Sequence, residues 1–330
     1  MNLGHVDQIA KAVLYEGYML YPYRPSSVKN RQRWNFGVLY PQAYREAQGG
    51  IDACSLRTEC LVCGTGGSLL EVRLRFLQLQ VRHSQCDSVL GAGVTPDGWQ
   101  EAVEREVVIP AFTLAGAVAH TITHSFQFPE HTLIDVDPEN GGEIVRCQSE
   151  LRGEVEIVAQ QIHKNLFKVT VDVRNTSTIE ANNPTRDSVL LQSLVSMHAV
   201  LGVSGGEFVS LLDPPTNLQE VARQCQNIGV WPVLVGDANQ RDTLLGSPII
   251  LYDYPRIAPE SAGDLFDGTE IDEILSLRIM TLTDEEKREI RGSDERACQI
   301  LERTDSMPAE QFMKLHGAIR GLRPLKESMP

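Results

Sequence analysis

Long apolar runs are missing from this 330-residue chain, and none approaches the ~20 residues that span a bilayer as a helix. A net positive charge is missing too. The formal balance is −14, which argues against generic binding to nucleic acid or to an anionic membrane surface. The N-terminal MNLGHVDQIA has no basic stretch leading into an apolar one, so it does not read as a secretory signal. The seven cysteines are odd in number and scattered, unlike a disulfide framework, and point to a reducing, cytoplasmic setting. Catalytic signatures are lacking as well. There is no G-x-S-x-G elbow, no G-x-x-x-x-G-K-[ST] phosphate loop and no H-E-x-x-H. Cys63-Gly64-Thr65-Gly66-Gly67 is glycine-rich, but no lysine follows and no helix opens after it.

What is present is mostly alternation. In EVRLRFLQLQVR (71–82), Val72, Leu74 and Phe76 share one face, and Leu77, Leu79 and Val81 share a face after a one-residue slip, which predicts a bulge within that strand. EAVEREVVI (101–109) predicts a strand ended by Pro110. Residues 151–175 predict a hairpin turning at His163-Lys164-Asn165. WPVLV (231–235) and SPIILY (247–252) predict two more strands. Residues 6–15 read as a short amphipathic helix with Val6, Ile9, Ala10 and Val13 on one face, and most of 270–319 has helical period. The expected class is α+β. A largely antiparallel β part, sandwich- or barrel-like, covers 1–212 with a short N-terminal helix, and a mixed segment over 213–330 ends in a helical region. The sequence leaves the oligomeric state and the choice between sandwich and barrel open.

Charge is uneven along the chain. Residues 1–50 carry six bases against three acids, whereas 251–330 carry eleven bases against seventeen acids. The acidic run Asp264, Asp267, Glu270, Asp272, Glu273 invites a metal reading. An EF-hand is excluded, because the positions two and four after Asp264 are Phe266 and Gly268. Thr269-Glu270-Ile271-Asp272 fits a helix start, where carboxylates meet the positive end of the helix dipole. Ahead of it, Tyr254-Pro255 and Ala258-Pro259 stiffen a loop carrying Tyr252, Tyr254, Arg256, Glu260 and Asp264. Such a loop suits protein docking, or else wraps a junction between the two parts. A second candidate contact surface is Tyr21, Tyr23, Arg24, Arg31, Arg33 and Trp34, since Tyr, Trp and Arg are enriched at interfaces.

Cys60-Leu61-Val62-Cys63 has the form of half a zinc knuckle. Cys54 lies nearby, and Cys86 would have to be brought back by the fold to extend the set. The competing reading is buried thiols. His120 and His124 stand at the spacing of two ligands on one helix face, with His131 following, or they are structural histidines on a strand.

Four stretches carry a family resemblance: AVLYEGYMLYPYRPSSVKNRQRWNFGVLYP near the N-terminus, RTECLV at 57–62, GGEFVSLLDPP at 205–215 and the run that begins SPIILYDYPRIAPESAGDLFDGTEIDEIL at 247. Together they resemble an uncharacterised bacterial protein family encoded beside [NiFe]-hydrogenase genes of the actinobacterial, high-affinity type. The resemblance implies a setting rather than a reaction, and it transfers no site residue. The expectation is a non-catalytic accessory, scaffold or maturation-associated protein that contacts a [NiFe]-hydrogenase subunit or maturation factor and needs no cofactor. The alternative is a metal-binding protein or metalloenzyme, with zinc at Cys54, Cys60, Cys63 and Cys86.

Overall fold

A strand of 30 residues would run roughly 100 Å if straight, several times the ~18 Å radius of gyration of a 250-residue domain. Such a strand, β1 (Ser55–Ser84), is the spine of this protein, and it has to bend. The computed structural model describes residues 36–84, 99–136, 141–179, 184–237, 239–256, 279–284, 287–288 and 295–308, together with Val6, Ile9, Ala10 and Leu14. The chain divides into two compact units, 1–256 and 257–330.

In the first unit, ten strands form one open, antiparallel sheet. After β1 come β2 (Trp99–Thr113), β3 (Ile122–Phe128), β4 (His131–Val136), β5 (Glu143–Gln148), β6 (Leu151–His163) and β7 (Leu166–Asn175). They are followed by β8 (Val195–Val209), β9 (Trp231–Leu234) and β10 (Thr243–Ser247). A short helix, α1 (Gln42–Ala47), precedes β1, and three more lie between the strands: α2 (Leu114–Ala119), α3 (Arg186–Leu190) and α4 (Gln219–Arg223). The long path through the sheet is β3-β6-β7-β1-β8-β10-β9, with β2 and the β4–β5 pair attached to the far half of β1. The predicted α+β class, with a largely antiparallel β part, is what the chain adopts. The sheet also takes in β9 and β10, so residues 213–256 belong with the β part, and the first unit runs past the break at Asp213-Pro214-Pro215.

The glycine-rich run is where β1 bends. Against β8, Gly64 faces Gly206 and Leu69 faces Ser204, five steps on one strand for two on the other. Ser68 pins the bend. Its hydroxyl donates to the Gly205 carbonyl at 2.6 Å and accepts the Thr65 N–H at 2.9 Å. A Cβ on Gly206 would sit 2.9 Å from the Cys63 carbonyl oxygen, so the backbones approach too closely for a side chain there. Residues 55–63 pair with β7, and residues 69–82 pair with β2.

The bend folds the sheet over its main core. Phe76 lies after the bend, while Phe126 and Phe128 lie on β3, three strands away from β1 along the sheet. Strand spacing alone would separate them by ~14 Å. Their rings nevertheless meet Phe76 with centroids 5.9 Å apart. The core joins Cys60, Val62, Leu70, Val72 and Leu74 from both halves of β1 to Val155 and Ile157 of β6, Val169 and Val171 of β7, and Leu201 of β8. Phe76, Phe167 and Phe208 are fully buried, each worth about 1.5–3 kcal/mol of transfer free energy.

Three local expectations give way to the structure. The slip at 76–77 is not a bulge in β1, since Phe76, Leu77, Gln78 and Leu79 are all buried and both faces of the strand are covered there. The extra residue is in β8: Arg75 faces His198 and Leu77 faces Val195, and Ser196 takes up the difference at φ +53°. Pro110 does not end β2. Between the pairs Val72–Ile109 and Leu70–Phe112 the register shifts, so Pro110 and Ala111 form an irregularity that does without the missing N–H. The strand expected at 247–252 ends instead at Ser247, because Pro248 has no N–H and the following residues turn back on β9.

At the N-terminus, Val6, Ile9, Ala10 and Leu14 are helical and buried, while Val13 is outside the described residues. In the second unit, α5 (Glu295–Ser306) buries Leu301 and Thr304, and Lys287 pairs with Asp305 at 2.5 Å. The acidic run at 264–273 and the expected helices over most of 270–294 and 308–319 lie outside the described residues.

Candidate interaction surface

β9 is the last strand on the path, and its outer edge is closed by the chain that follows β10. The Leu234 N–H donates to the Asp253 carboxylate at 2.8 Å, and the Leu234 carbonyl accepts the Tyr254 N–H at 2.7 Å. These two groups point away from β10, so residues 253–254 stand in for a further strand. The second oxygen of Asp253 accepts the Ser210 hydroxyl at 2.5 Å. Ser210 lies just past β8 and takes the N–H groups of Leu212 and Asp213 on the same oxygen. One carboxylate thus ties the end of β8 to the edge of β9.

Asp253 sets the orientation of its neighbours. Tyr254 adopts φ +58°, a left-handed conformation that costs a bulky residue about 1–3 kcal/mol, and its side chain packs on the main core. Tyr254 is therefore anchored by its packing. A turn with one tyrosine anchored inward carries the other outward, and Tyr252 is 83% exposed. Ile250, Arg256 and, on β9, Trp231 are exposed beside this turn in sequence or pairing. Glu260 and Asp264 lie outside the described residues, as do Tyr21, Tyr23, Arg24, Arg31, Arg33 and Trp34. The sequence reading missed Asp253, Ile250 and Trp231. An aspartate two residues before a proline and a tryptophan opening an edge strand were the signals that could have found them.

Among the described residues, Cys60 and Cys63 do not converge as their spacing suggests. Along an extended strand, positions three apart fall on opposite faces. Cys60 points into the main core and is fully buried, and Cys63 packs on the other face beside Leu61, Leu166 and Val209. A knuckle needs a turn that aims both thiols one way, and β1 runs straight through this pair. Burial pushes the Cys60 thiol well above its ordinary range and lifts Cys225 to about 11, away from the thiolate form that a metal requires. Cys54 lies just ahead of β1, with the Arg45 guanidinium 3.7 Å from its sulfur. Cys86 is outside the described residues. His120 caps α2, and the helix stops at Ala119, so His120 and His124 do not share a helix face. His124 lies on β3, with His131 exposed on β4. Among the described residues, no three or more His, Cys, Asp or Glu side chains are grouped to hold a metal.

Glu59, unremarked in the sequence, is the buried carboxylate of β1. It accepts from Lys168 at 3.3 Å, Thr170 at 3.2 Å and the Gln226 N–H at 2.7 Å. Asn227 brackets its backbone, taking the Glu59 N–H at 2.9 Å. The charge is fully partnered and fastens the segment after α4 to the sheet.

No helix among the described residues is long and apolar enough to cross a membrane. A scan of the sequence against protein-family models finds no match, and a search of curated proteins finds none either.

Proposed function

We propose that this protein acts by contact with another protein, without catalysis of its own, in the setting that the family resemblance implies. Its partner is then a [NiFe]-hydrogenase subunit or maturation factor, met in the cytoplasm. The observation that carries the contact reading is Tyr252, standing 83% exposed on a turn whose next two residues are fastened to β9 and the core. An aromatic side chain on an anchored turn loses little freedom on docking, and Tyr and Arg are among the residues that supply most binding energy at interfaces. The same turn belongs to the run that carries the resemblance.

The test is co-purification from cells that express the hydrogenase genes. Tagged wild-type protein is expected to recover a hydrogenase component, and Tyr252→Ala with Arg256→Ala to recover at least ~10-fold less. No hydrogenase component retained by the wild type would sink the setting. Equal recovery by wild type and double variant would sink the surface.

A further inference from the structure

Sheets expose their outermost strands, and monomeric proteins protect those edges with proline, charge, short length or cover. Among the described residues, three of the free edges here are protected in this way. β9 is covered by Asp253 and Tyr254. β2 carries Pro110 at its irregularity and exposes Glu104 and Glu106. β3 exposes Thr123, Ser125 and Gln127, all polar. Among the described residues, β4 has neither proline nor cover. Among the described residues it pairs only with β5, every one of its six residues is exposed, and HTLIDV contains no proline, lysine or arginine. Its single carboxylate, Asp135, is already held by Arg146 at 2.7 Å. The apolar side chains lie on both faces: Leu133 is 45% exposed, Ile134 62% and Val136 69%.

We propose that β4 pairs antiparallel with β4 of a second copy, about a two-fold axis at Leu133, so that two sheets join into one across a homodimer. The strand's own sequence selects a second copy and this register. A two-fold axis normal to the sheet keeps each face on its own side, so it must pass through a residue rather than between two. His131, Leu133 and Asp135 share the face of their β5 partners Gln148, Arg146 and Ile144, and Thr132, Ile134 and Val136 share the other. With the axis at Leu133, Leu133 meets its own copy, His131 meets Asp135 of the copy twice over, and Thr132 meets Ile134. Leucine opposes leucine, an imidazole opposes a carboxylate, and no like charges meet. Moving the axis to Ile134 sets Leu133 against Asp135, and moving it to Asp135 sets two carboxylates face to face. Two six-residue strands alone bury less than the ~1,200 Å² of a standard stable interface, so the dimer is weak and depends on concentration.

Sedimentation equilibrium on the full chain, from about 1 to 200 µM, reads this directly. The average mass is expected to rise above the 36.6 kDa of one chain with concentration. Ile134→Lys should keep it at one chain, with an unchanged circular-dichroism spectrum because the site is exposed. Register is read by oxidative cross-linking in a Cys147→Ser background. Leu133→Cys should form a disulfide-linked dimer, and Ile134→Cys should form at least ~10-fold less of it, since only Leu133 faces itself. A single-chain mass at every concentration would overturn the proposal. So would a dimer that survives Ile134→Lys, or cross-linking at Ile134→Cys equal to that at Leu133→Cys.

Discussion

The carboxylate of Asp253 accepts the backbone N–H of Leu234 at 2.8 Å, on the side of β9 that faces away from the rest of the sheet. This bond and its companion to Ser210 hold the turn that presents Tyr252. Asp253→Ala leaves the Leu234 N–H and the Ser210 hydroxyl without their acceptor, a loss of about 1–3 kcal/mol. Urea unfolding is expected to show that loss as a lower midpoint with an unchanged slope. Recovery of the proposed partner should fall even under conditions where the variant is fully folded, because Tyr252 is no longer held out.

Gly153 on β6 leaves the space that the ring of Phe126 occupies. A Cβ there would lie 2.1 Å from the Phe126 ring, so Gly153→Ala must push the aromatic cluster apart. The expected cost is about 1–3 kcal/mol, as for overpacked cores. A thermal melt of Gly153→Ala, Phe126→Leu and the double variant checks the mechanism. The double variant should be more stable than the sum of the single losses predicts, since the smaller side chain vacates the ring's place.

His198 supplies a pH dependence. It is fully buried on β8, its Nδ1–H donates to the Ser196 carbonyl at 2.7 Å, and its Nε2 accepts from the Ser247 hydroxyl at 3.3 Å. Burial, helped by the charge of Arg75, lowers its pKa from 6.5 to about 4. A base whose folded pKa is depressed is protonated more readily in the unfolded chain. The stability tied to His198 is therefore complete above pH 6.5 and falls as pH drops from 6.5 toward 4, by about 3 kcal/mol in all. Unfolding free energies of wild type and His198→Gln, measured between pH 4 and 7.5, should differ by a gap that narrows or reverses as pH falls across this window. A pH-independent gap would contradict the assignment.

Thiol accessibility follows from the geometry of β1. With Cys60 fully buried and Cys225 lifted to about 11, both should resist alkylation of the native protein at pH 7.5, at least ~100-fold relative to the urea-unfolded chain. Mass spectrometry of the labelled peptides distinguishes the sites. Rapid native labelling of Cys60 would mean that the β1 core opens readily.

Much of the β architecture was legible because one face of many strands is buried. Val169, Val171 and Val173 announce their strand by alternation, and the turn at Lys164-Asn165 separates β6 from β7 as expected. Alternation fails where both faces are covered. Phe76 to Leu79 then looks like a slip, although β1 is regular there and Ser196 on the neighbouring strand carries the extra residue. Cys60 and Cys63 look like ligands in a linear sequence because spacing does not tell a turn from an extended strand. Of the loop residues, Tyr252 and Tyr254 were indistinguishable by composition. What separates them is the positive φ at Tyr254 and the carboxylate of Asp253, and both depend on β8 and β9 arriving from elsewhere in the chain.

The long spine also sets a timetable for synthesis. β1 is complete at Ser84, yet its partners β7 and β8 extend to Asn175 and Val209. At the usual 5–20 residues per second, the ribosome needs roughly 6 to 25 s to deliver the last of them. Leu70, Val72 and Leu74 can pair with β2 once Thr113 is made, but the half of β1 that carries Leu56 and Val62 waits for β7 and β8. The first half of β1 is thus the part of the spine that stays longest without its strand partners during synthesis.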